Sequence, residues 1–358
     1  MTARPLRVVL TAGETSGDRL GADLAASLQR RQPDIEMAGV AGPAMQAAGV
    51  EAWFDLDVLN IMGLTEVIRH LPRLIRLRRE LFERITAWQP DVFVGIDAPD
   101  FHLGLARRLR KSGLRTVQYV SPTVWAWRAG RAAGVARSVD LLLTLFPFES
   151  DHYAGLDLET RFVGHPLADR IPQRPSRSAA RAALGIGEDE TLVALLPGSR
   201  SGEIRRHAGL LVESARLIGE QRPGIRLAAF CVDATQVEQM REVTGDAIER
   251  AGIEMHSGQT SNGLAGADCA MIASGTATLE GFLLECPMTV FYRLAPATYA
   301  LLRQLRLVRS RHIALPNIVS GRELVPEFVQ GQATPGNLAA ATLAWLDAYA
   351  AGVNAWLE

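Results

Sequence analysis

Short apolar runs alternate along the chain with longer stretches in which apolar residues recur every three to four positions. The runs are LRVVLT (6–11), DVFVGI (91–96), RTVQYV (115–120), LLLTLF (141–146), TLVALL (191–196), RLAAFC (226–231), CAMIA (269–273) and PMTVFY (287–292). Most lack the in-and-out alternation of a strand with one wet face, so they predict parallel strands covered by helices on both sides. Helical spacing fills the gaps, as at 21–30 and 208–221. This β-α-β-α rhythm predicts an α/β fold of doubly wound parallel sheets. A Pro-, Arg- and Ser-rich stretch near 165–190 breaks the rhythm and predicts a linker. The expected organisation is one domain over 1–166, a second over 167–335 and a helical tail over 336–358. Two such domains facing each other would line a cleft with the carboxyl ends of both sheets, where ligands of open α/β folds bind.

Composition narrows the partners. The chain has 358 residues, 48% hydrophobic and 22% charged, with a formal net charge of −1. That balance gives no general attraction to nucleic acid. No run approaches the ~18 apolar residues of a membrane span, and residues 6–10 are too short for a signal-peptide core, so a cytoplasmic protein is expected. Cys231, Cys269 and Cys286 show neither metal spacing nor a disulfide framework.

The candidate chemistry sits where predicted strands end. In TAGETSGDRLGADLAASL (11–28), Gly13, Ser16 and Gly17 permit close approach of a ligand at a helix start, suited to a phosphate or sugar hydroxyl. The glycine spacing is not GxGxxG. A tight turn with Ser16 or Asp18 as helix N-cap explains the loop equally. VGIDAPDF (94–101) carries Asp97 to the tip of a strand that Pro99 ends. Asp100 is placed to cap the next helix, whereas a carboxylate at position 97 is costly to desolvate unless paired or used.

LLPGSRSGEI (195–204) predicts an anion cradle: Gly198 and Ser199 expose backbone N–H groups and Arg200 adds a cation suited to phosphate. GxxxxGK[ST] is absent, and an Arg200–Glu203 surface pair is the plainer alternative. In ASGTATLEGFLLECPMTV (273–290), Ser274 or Thr276 can cap a helix while Gly275 admits a phosphate to its positive end. Glu280, one turn on, would reach ribose hydroxyls. An ordinary capped βα unit would look the same.

Taken together, AGETSGDRLGADL, GIDAPDF, YVSPTVWAWRAGR, FPFE followed by FVGHPLAD, LLPGSRSGEI, ASGTATLE and LPNIVSGRELVPE resemble the lipid-A-disaccharide synthase family. They span residues 12 to 327, and SPTVWAWR and PNIVSGRELVPE are unusual strings. The resemblance implies a glycosyltransferase of GT-B architecture, two Rossmann-like domains facing across a cleft. It implies transfer of 2,3-diacylglucosamine from its UDP conjugate to the 6-hydroxyl of 2,3-diacylglucosamine 1-phosphate, giving a β-1,6 disaccharide and UDP. The family's functionally important aspartate falls on Asp97.

Inversion at the anomeric carbon needs a general base, for which Asp97 is the first candidate and Glu14 the reserve. Arg200, the Gly198–Ser199 N–H groups and the helix start at Gly275–Thr276 would stabilise the leaving UDP. Glu203, Glu280, Asn317 and Glu323 complete the expected donor set. Gly13, Ser16, Gly17, Arg128 and Arg131 form the expected acceptor set. Asp55 and Asp57 superficially match a DxD metal motif, but AWFDLDVLNIMG reads as packing, so no metal and no cofactor are expected. Trp125 and Trp127 read as core, and His165 as a structural hinge residue.

Acylated substrates require a bilayer, and residues 61–85 combine Leu64, Val67, Ile68, Leu71, Leu74 and Ile75 with six arginines. This basic amphipathic stretch, divided by Pro72 into two helices, suits peripheral contact with an anionic membrane on the cytoplasmic side or simple packing on the sheet. A second Arg-rich stretch, 300–312, could act similarly. The family likeness also implies a homodimer with exchanged C-terminal segments, the tail crossing to a neighbour or folding back on the first domain. The same architecture serves UDP-GlcNAc 2-epimerases and transferases with undecaprenyl acceptors, and a nucleotide-sugar sensor is the remote third reading.

Overall fold

The structure is a computed structural model that describes residues 4–59, 64–124, 129–170, 176–296, 299–300, 304 and 311–350. Contacts divide the chain between Pro166 and Leu167. The first domain carries β1 (Arg7–Ala12), β2 (Glu36–Ala41), β3 (Glu51–Asp55), β4 (Val92–Ile96), β5 (Arg115–Tyr119), β6 (Leu141–Thr144) and β7 (Glu159–Phe162). Its helices are α1 (Thr15–Arg31), α2 (Pro43–Ala47), α3 (Leu64–Trp88), α4 (Pro99–Lys111) and α5 (Ala132–Ala136). The strands pair in the order β3-β2-β1-β4-β5-β6-β7, all parallel.

The second domain repeats the plan. Its strands are β8 (Leu192–Leu196), β9 (Arg226–Cys231), β10 (Ile253–Ser257), β11 (Cys269–Ala273), β12 (Met288–Tyr292) and β13 (Glu327–Val329). They pair in the order β10-β9-β8-β11-β12-β13, again parallel. The helices are α6 (Leu167–Arg170), α7 (Arg177–Leu184), α8 (Ser201–Gln221), α9 (Ala234–Thr244), α10 (Ala247–Arg250), α11 (Thr260–Gly266), α12 (Thr276–Leu283), α13 (Leu315–Ser320) and α14 (Pro335–Ala350). Both domains are thus doubly wound parallel sheets, with chain order reversing between β1 and β4 and between β8 and β11. Ligands of this fold bind outside the carboxyl ends of the strands at that reversal.

Unbroken apolar runs follow from coverage of both faces. Val8 and Leu10 of β1 pack with α1 and α2, while Val9 between them packs with α3 and α4. In β8, Val193 and Leu195 face the α8 side, and Leu192, Ala194 and Leu196 face the other. Burying each such side chain is worth about 1.5–3 kcal/mol, which fixes the strands and hence their tips.

Two expectations need correction here. Pro72 does not divide the basic segment; a single helix α3 runs through it. The side chains of Leu64, Val67, Ile68 and Leu71 lie outside the described residues. Leu74 packs against the core with buried Leu77, Leu81 and Ile85, while Ile75 is exposed. The spacing i, i+3, i+7, i+11 sends that stripe to the sheet, so Leu74 is not membrane-facing.

The tail, too, stays with its own domain. Leu338, Ala339, Leu343 and Leu346 of α14 complete the core beside α8. Trp345 Nε1 donates to the Met288 carbonyl at 3.0 Å, and Asp347 pairs with Arg222. Within the described residues the tail therefore packs on the second domain. Its apolar face has an open flank of the second sheet to cover, which is the physical reason.

Candidate active site

In the first domain the β1 and β4 tips pack together. Asp97 and Ala98 follow β4 with φ of 54° and 37°, the left-handed region that costs a non-glycine residue about 1–3 kcal/mol. The turn is held by its own carbonyl. His102 Nδ1 bonds the Asp97 oxygen at 2.8 Å, and Gln118 Nε2 donates to the same oxygen at 3.0 Å. Asp97 N–H donates to the Tyr119 carbonyl at 2.9 Å. His102 and Gln118 are wholly buried. Asp97 itself is half-buried, a carboxylate at the reversal point on a backbone with three fixed bonds.

Gly13 is part of the same device. A Cβ at that position would lie well inside van der Waals contact of Ala98 Cβ, so only glycine lets the β1 loop close on the turn. Glu14 is the N-cap residue of α1, with no side-chain capping bond; neither Ser16 nor Asp18 fills that role. Ser16 is exposed and Gly17 buried. Asp18 instead reaches α2, accepting N–H bonds from Gly42 at 2.9 Å, Ala44 at 2.9 Å and Met45 at 3.1 Å. Asp100 does not cap α4, which begins at Pro99 with Ala98 as N-cap. It is an exposed first-turn carboxylate that pairs with Arg131. Arg128, Trp125 and Trp127 lie outside the described residues, and the His165 ring is tilted against Phe146 with centroids 6.2 Å apart.

His102 was missed by sequence reasoning, its only signal being a position two residues beyond Asp-Ala-Pro-Asp. A carbonyl can only accept, so Nδ1 carries the proton, and Nε2 has no partner among the described residues. Burial pushes its pKa from 6.5 down to about 4, against the pull of the Asp97 carbonyl. The unfolded chain therefore takes up a proton between pH 6.5 and 4 that the folded domain refuses. Stability is complete above the unfolded value and falls as pH drops below it. Acidifying from pH 7 to 4.5 should cost roughly 2–3 kcal/mol through this group. Denaturant titrations at the two pH values, with His102→Asn lacking this share of the difference, check it.

In the second domain the β8 and β11 tips lie side by side. Gly198 has φ 113°, and a Cβ there would meet Glu203 Oε2 at 2.5 Å. Buried Glu203 turns back on the loop, accepting from Ser199 N–H at 3.0 Å and Arg200 N–H at 3.2 Å. It also takes the Tyr292 hydroxyl at 2.8 Å. The Ser199 N–H, expected to be open to an anion, is thus directed together with the Arg200 N–H onto a carboxylate of the chain itself. Glu203 shapes the loop, and the Arg200 side chain remains 45% exposed.

At the β11 tip the N-cap of α12 is Gly275, with no side-chain capping bond, so neither Ser274 nor Thr276 caps it. Ser274 Oγ donates to the Ile313 carbonyl at 2.7 Å. Gly275 and Thr276 are exposed, with open space where a Gly275 Cβ would lie. This uncapped helix start is the positive end an anion would meet. Glu280 accepts from Ser261 on α11.

Asn317 is a correction. It is wholly buried, donating to the Val325 carbonyl at 2.8 Å and Glu327 Oε1 at 2.7 Å and accepting from Leu324 N–H at 2.7 Å and Val325 N–H at 3.0 Å. Every amide position is used internally, so Asn317 holds the 313–327 turn instead of a ligand. Glu323 is exposed on that turn. Glu327, unremarked in the sequence, accepts from Ile313 N–H at 2.9 Å and Ala314 N–H at 2.8 Å.

Among the described residues no three His, Cys, Asp or Glu side chains converge on one point, and Asp55 simply ends β3. The three cysteines are free and buried, their thiols pushed up by burial, Cys231 to about 11 and Cys286 to about 12.

The model of a family described as lipid-A-disaccharide synthetase matches residues 8–351. A lipid-A-disaccharide synthase of Azotobacter vinelandii is 47% identical over 343 residues, covering 96% of this chain and 90% of the relative. The chain belongs to the lipid-A-disaccharide synthetase family. A synthase of Alkalilimnicola ehrlichii is 48% identical over 340 residues, covering 93% of this chain and 87% of its own length. Among solved structures, the UDP-GlcNAc 2-epimerase of Neisseria meningitidis bound to UDP-GlcNAc aligns with TM-score 0.64 at 8% identity over 98% of this chain and 94% of its own. That of Methanocaldococcus jannaschii with UDP-GlcNAc and UDP aligns with TM-score 0.62 at 12% identity over 96% and 93%. At such identities the epimerases share the fold alone. For a member of the synthetase family, the strained Asp97 turn and the uncapped α12 start are the two features to be accounted for.

Proposed function

We propose that this enzyme is a lipid-A-disaccharide synthase, an inverting glycosyltransferase that moves 2,3-diacylglucosamine from UDP-2,3-diacylglucosamine to the 6-hydroxyl of 2,3-diacylglucosamine 1-phosphate. The products are the β-1,6 disaccharide and UDP. Family membership across 96% of the chain supports the reaction. The observation that carries the mechanism is the Asp97 turn, a carboxylate on strained backbone whose main-chain carbonyl is held by two buried side chains.

In the proposed step Asp97 takes the proton of the acceptor 6-hydroxyl as that oxygen attacks the anomeric carbon, and the bond to UDP breaks on the opposite face. A positioned base contributes about 10²–10⁴-fold. Charge developing on UDP is met by the exposed α12 start at Gly275–Thr276 and by the exposed Arg200 guanidinium. Preorganised donors of this kind are worth about 3–4 kcal/mol each, so the proposal needs no metal. Acylated substrates imply contact with a bilayer. No helix among the described residues is long and apolar enough to cross one. On α3, exposed Ile75 stands among exposed Arg73, Arg76 and Arg79, which supports peripheral contact with an anionic surface.

Incubation with both acylated substrates should yield disaccharide and UDP in equal amounts, at a rate unchanged by EDTA. Absence of disaccharide would sink the assignment. Loss of rate in EDTA with recovery on adding Mg²⁺ would overturn the metal-free leaving group.

A further inference from the structure

The first two turns of α8 tie together two loops that flank the α12 start. β11 lies between β8 and β12 in the sheet, so its tip stands between the loop after β8 and the segment that ends β12. From α8, Glu203 holds the β8 loop at Ser199 and Arg200 and the β12 end at the Tyr292 hydroxyl. One turn on, His207 repeats the tie. Its Nδ1 bonds the Pro197 carbonyl at 2.8 Å, and its Nε2 accepts Arg293 N–H at 3.1 Å. His207 is wholly buried, edge-on to Phe291 and Tyr292 with ring centroids 5.2 Å away in each case. Neither strand neighbours the other, so these bonds set a spacing that the sheet alone does not.

We propose that His207 is a positioning residue for the donor nucleotide, fixing the separation of the Pro197–Arg200 and Tyr292–Arg293 segments around the α12 start. The inference deepens the donor-site reading given above and rests on it. The clamp requires one tautomer. Pro197 offers only a carbonyl, so Nδ1 carries the proton, and Nε2 must keep a bare lone pair for Arg293 N–H.

Protonation removes that lone pair. The Arg293 carbonyl lies 3.3 Å from Nε2 and would become its partner, while the N–H bond is lost and the Tyr292–Arg293 segment shifts. The groups facing the ring are Glu203 and Arg206 on α8, the Tyr292 phenol on β12 and the Pro197 and Arg293 backbone. The Arg206 guanidinium donates to the Arg293 carbonyl at 3.0 Å, and the Arg293 side chain donates to the Ala333 carbonyl. Burial holds the His207 pKa below its ordinary value, outweighing Glu203 and the backbone bonds. The clamp is therefore intact at pH 7 and opens only on acidification.

The experiment is calorimetric titration of the full chain with UDP from pH 8 to pH 5, for wild type, His207→Leu and His207→Gln. His207→Leu removes both bonds and should weaken UDP about tenfold or more at pH 7. Gln places an amide at the Nε2 position, with an oxygen that accepts Arg293 N–H, and should recover at least threefold of that loss. Gln does not titrate, so the ratio of wild-type to Gln affinity should fall as the pH is lowered, the titration of UDP itself cancelling. Should His207→Leu fail to fold, the wild-type-to-Gln ratio carries the test. Wild type that binds no UDP would overturn the donor-site reading itself. UDP binding by wild type with a pH-invariant ratio, or with equal affinity in His207→Leu, would overturn the clamp alone.

Discussion

Asp97→Asn is expected to lower kcat by about 10²–10⁴-fold while UDP binding stays at its wild-type value. The substitution is a clean chemical test because of the backbone it inherits. Asparagine is among the few residues that tolerate left-handed φ, so the turn at 54° survives the change. The His102 and Gln118 bonds go to the main-chain oxygen and are untouched. What is lost is the carboxylate's charge and with it the capacity to accept a proton. Alanine would confound that loss with strain at a position where a Cβ-bearing residue already stands at a cost. Steady-state rates with both acylated substrates, alongside UDP titration, decide the matter. A variant turning over near the wild-type rate would remove Asp97 from the chemistry and return Glu14, the α1 N-cap residue, to first place.

The second large effect is expected from a single methyl group. In Gly13→Ala the new Cβ meets Ala98 Cβ far inside contact distance, with Ala98 Cα at 3.5 Å and His102 Cε1 at 3.8 Å behind it. None of these atoms is the tip of a flexible side chain, so either β1 or the Asp97–Ala98 turn must move. Overpacking of this kind costs about 1–3 kcal/mol of stability. Activity should fall further than stability implies, because a misplacement of about 1 Å at a catalytic group can cost 10²-fold. The pairing has a specific cure. Ala98→Gly removes the opposing methyl and is at ease at φ 37°, so Gly13→Ala/Ala98→Gly should regain most of both losses. Thermal unfolding and kcat for the two single variants and the double variant check it, and a double variant no better than Gly13→Ala would locate the damage elsewhere.

The sequence disclosed the middle of each sheet better than its margins. All eight apolar runs form strands, because interior parallel strands are apolar on both faces. Of the five strands without such a run, β3, β7, β10 and β13 are the four sheet edges. An edge has one covered side at most, and EAWFD or ETRF reads as polar loop. The fifth, β2, is diluted by glutamate and glycine. The strand tips were legible as places, since a run that stops at Gly-Ser-Arg or Asp-Ala-Pro must turn there. The partners at those tips were not. Gln118 reaches Asp97 from the neighbouring strand and Tyr292 reaches Glu203 from 89 residues away, separations that no local pattern encodes. For the same reason Glu203 and Asn317 looked like ligand-binding residues. A polar side chain in a Gly- or Pro-containing loop has the same local appearance whether it serves a guest or its own backbone amides.

The packing of α14 bears on how the molecule is made. Its residues 338–346 supply one wall of the second core, yet they follow that domain's last strand, whereas the first domain's seven strands are all encoded by residue 162. The leading half can close as soon as it has emerged from the ribosome, but the trailing half keeps its β8, β11 and β12 flank uncovered until residues 338–346 emerge as well. A premature stop before residue 338 would therefore strand a half-walled sheet, a natural target for chaperones and proteases.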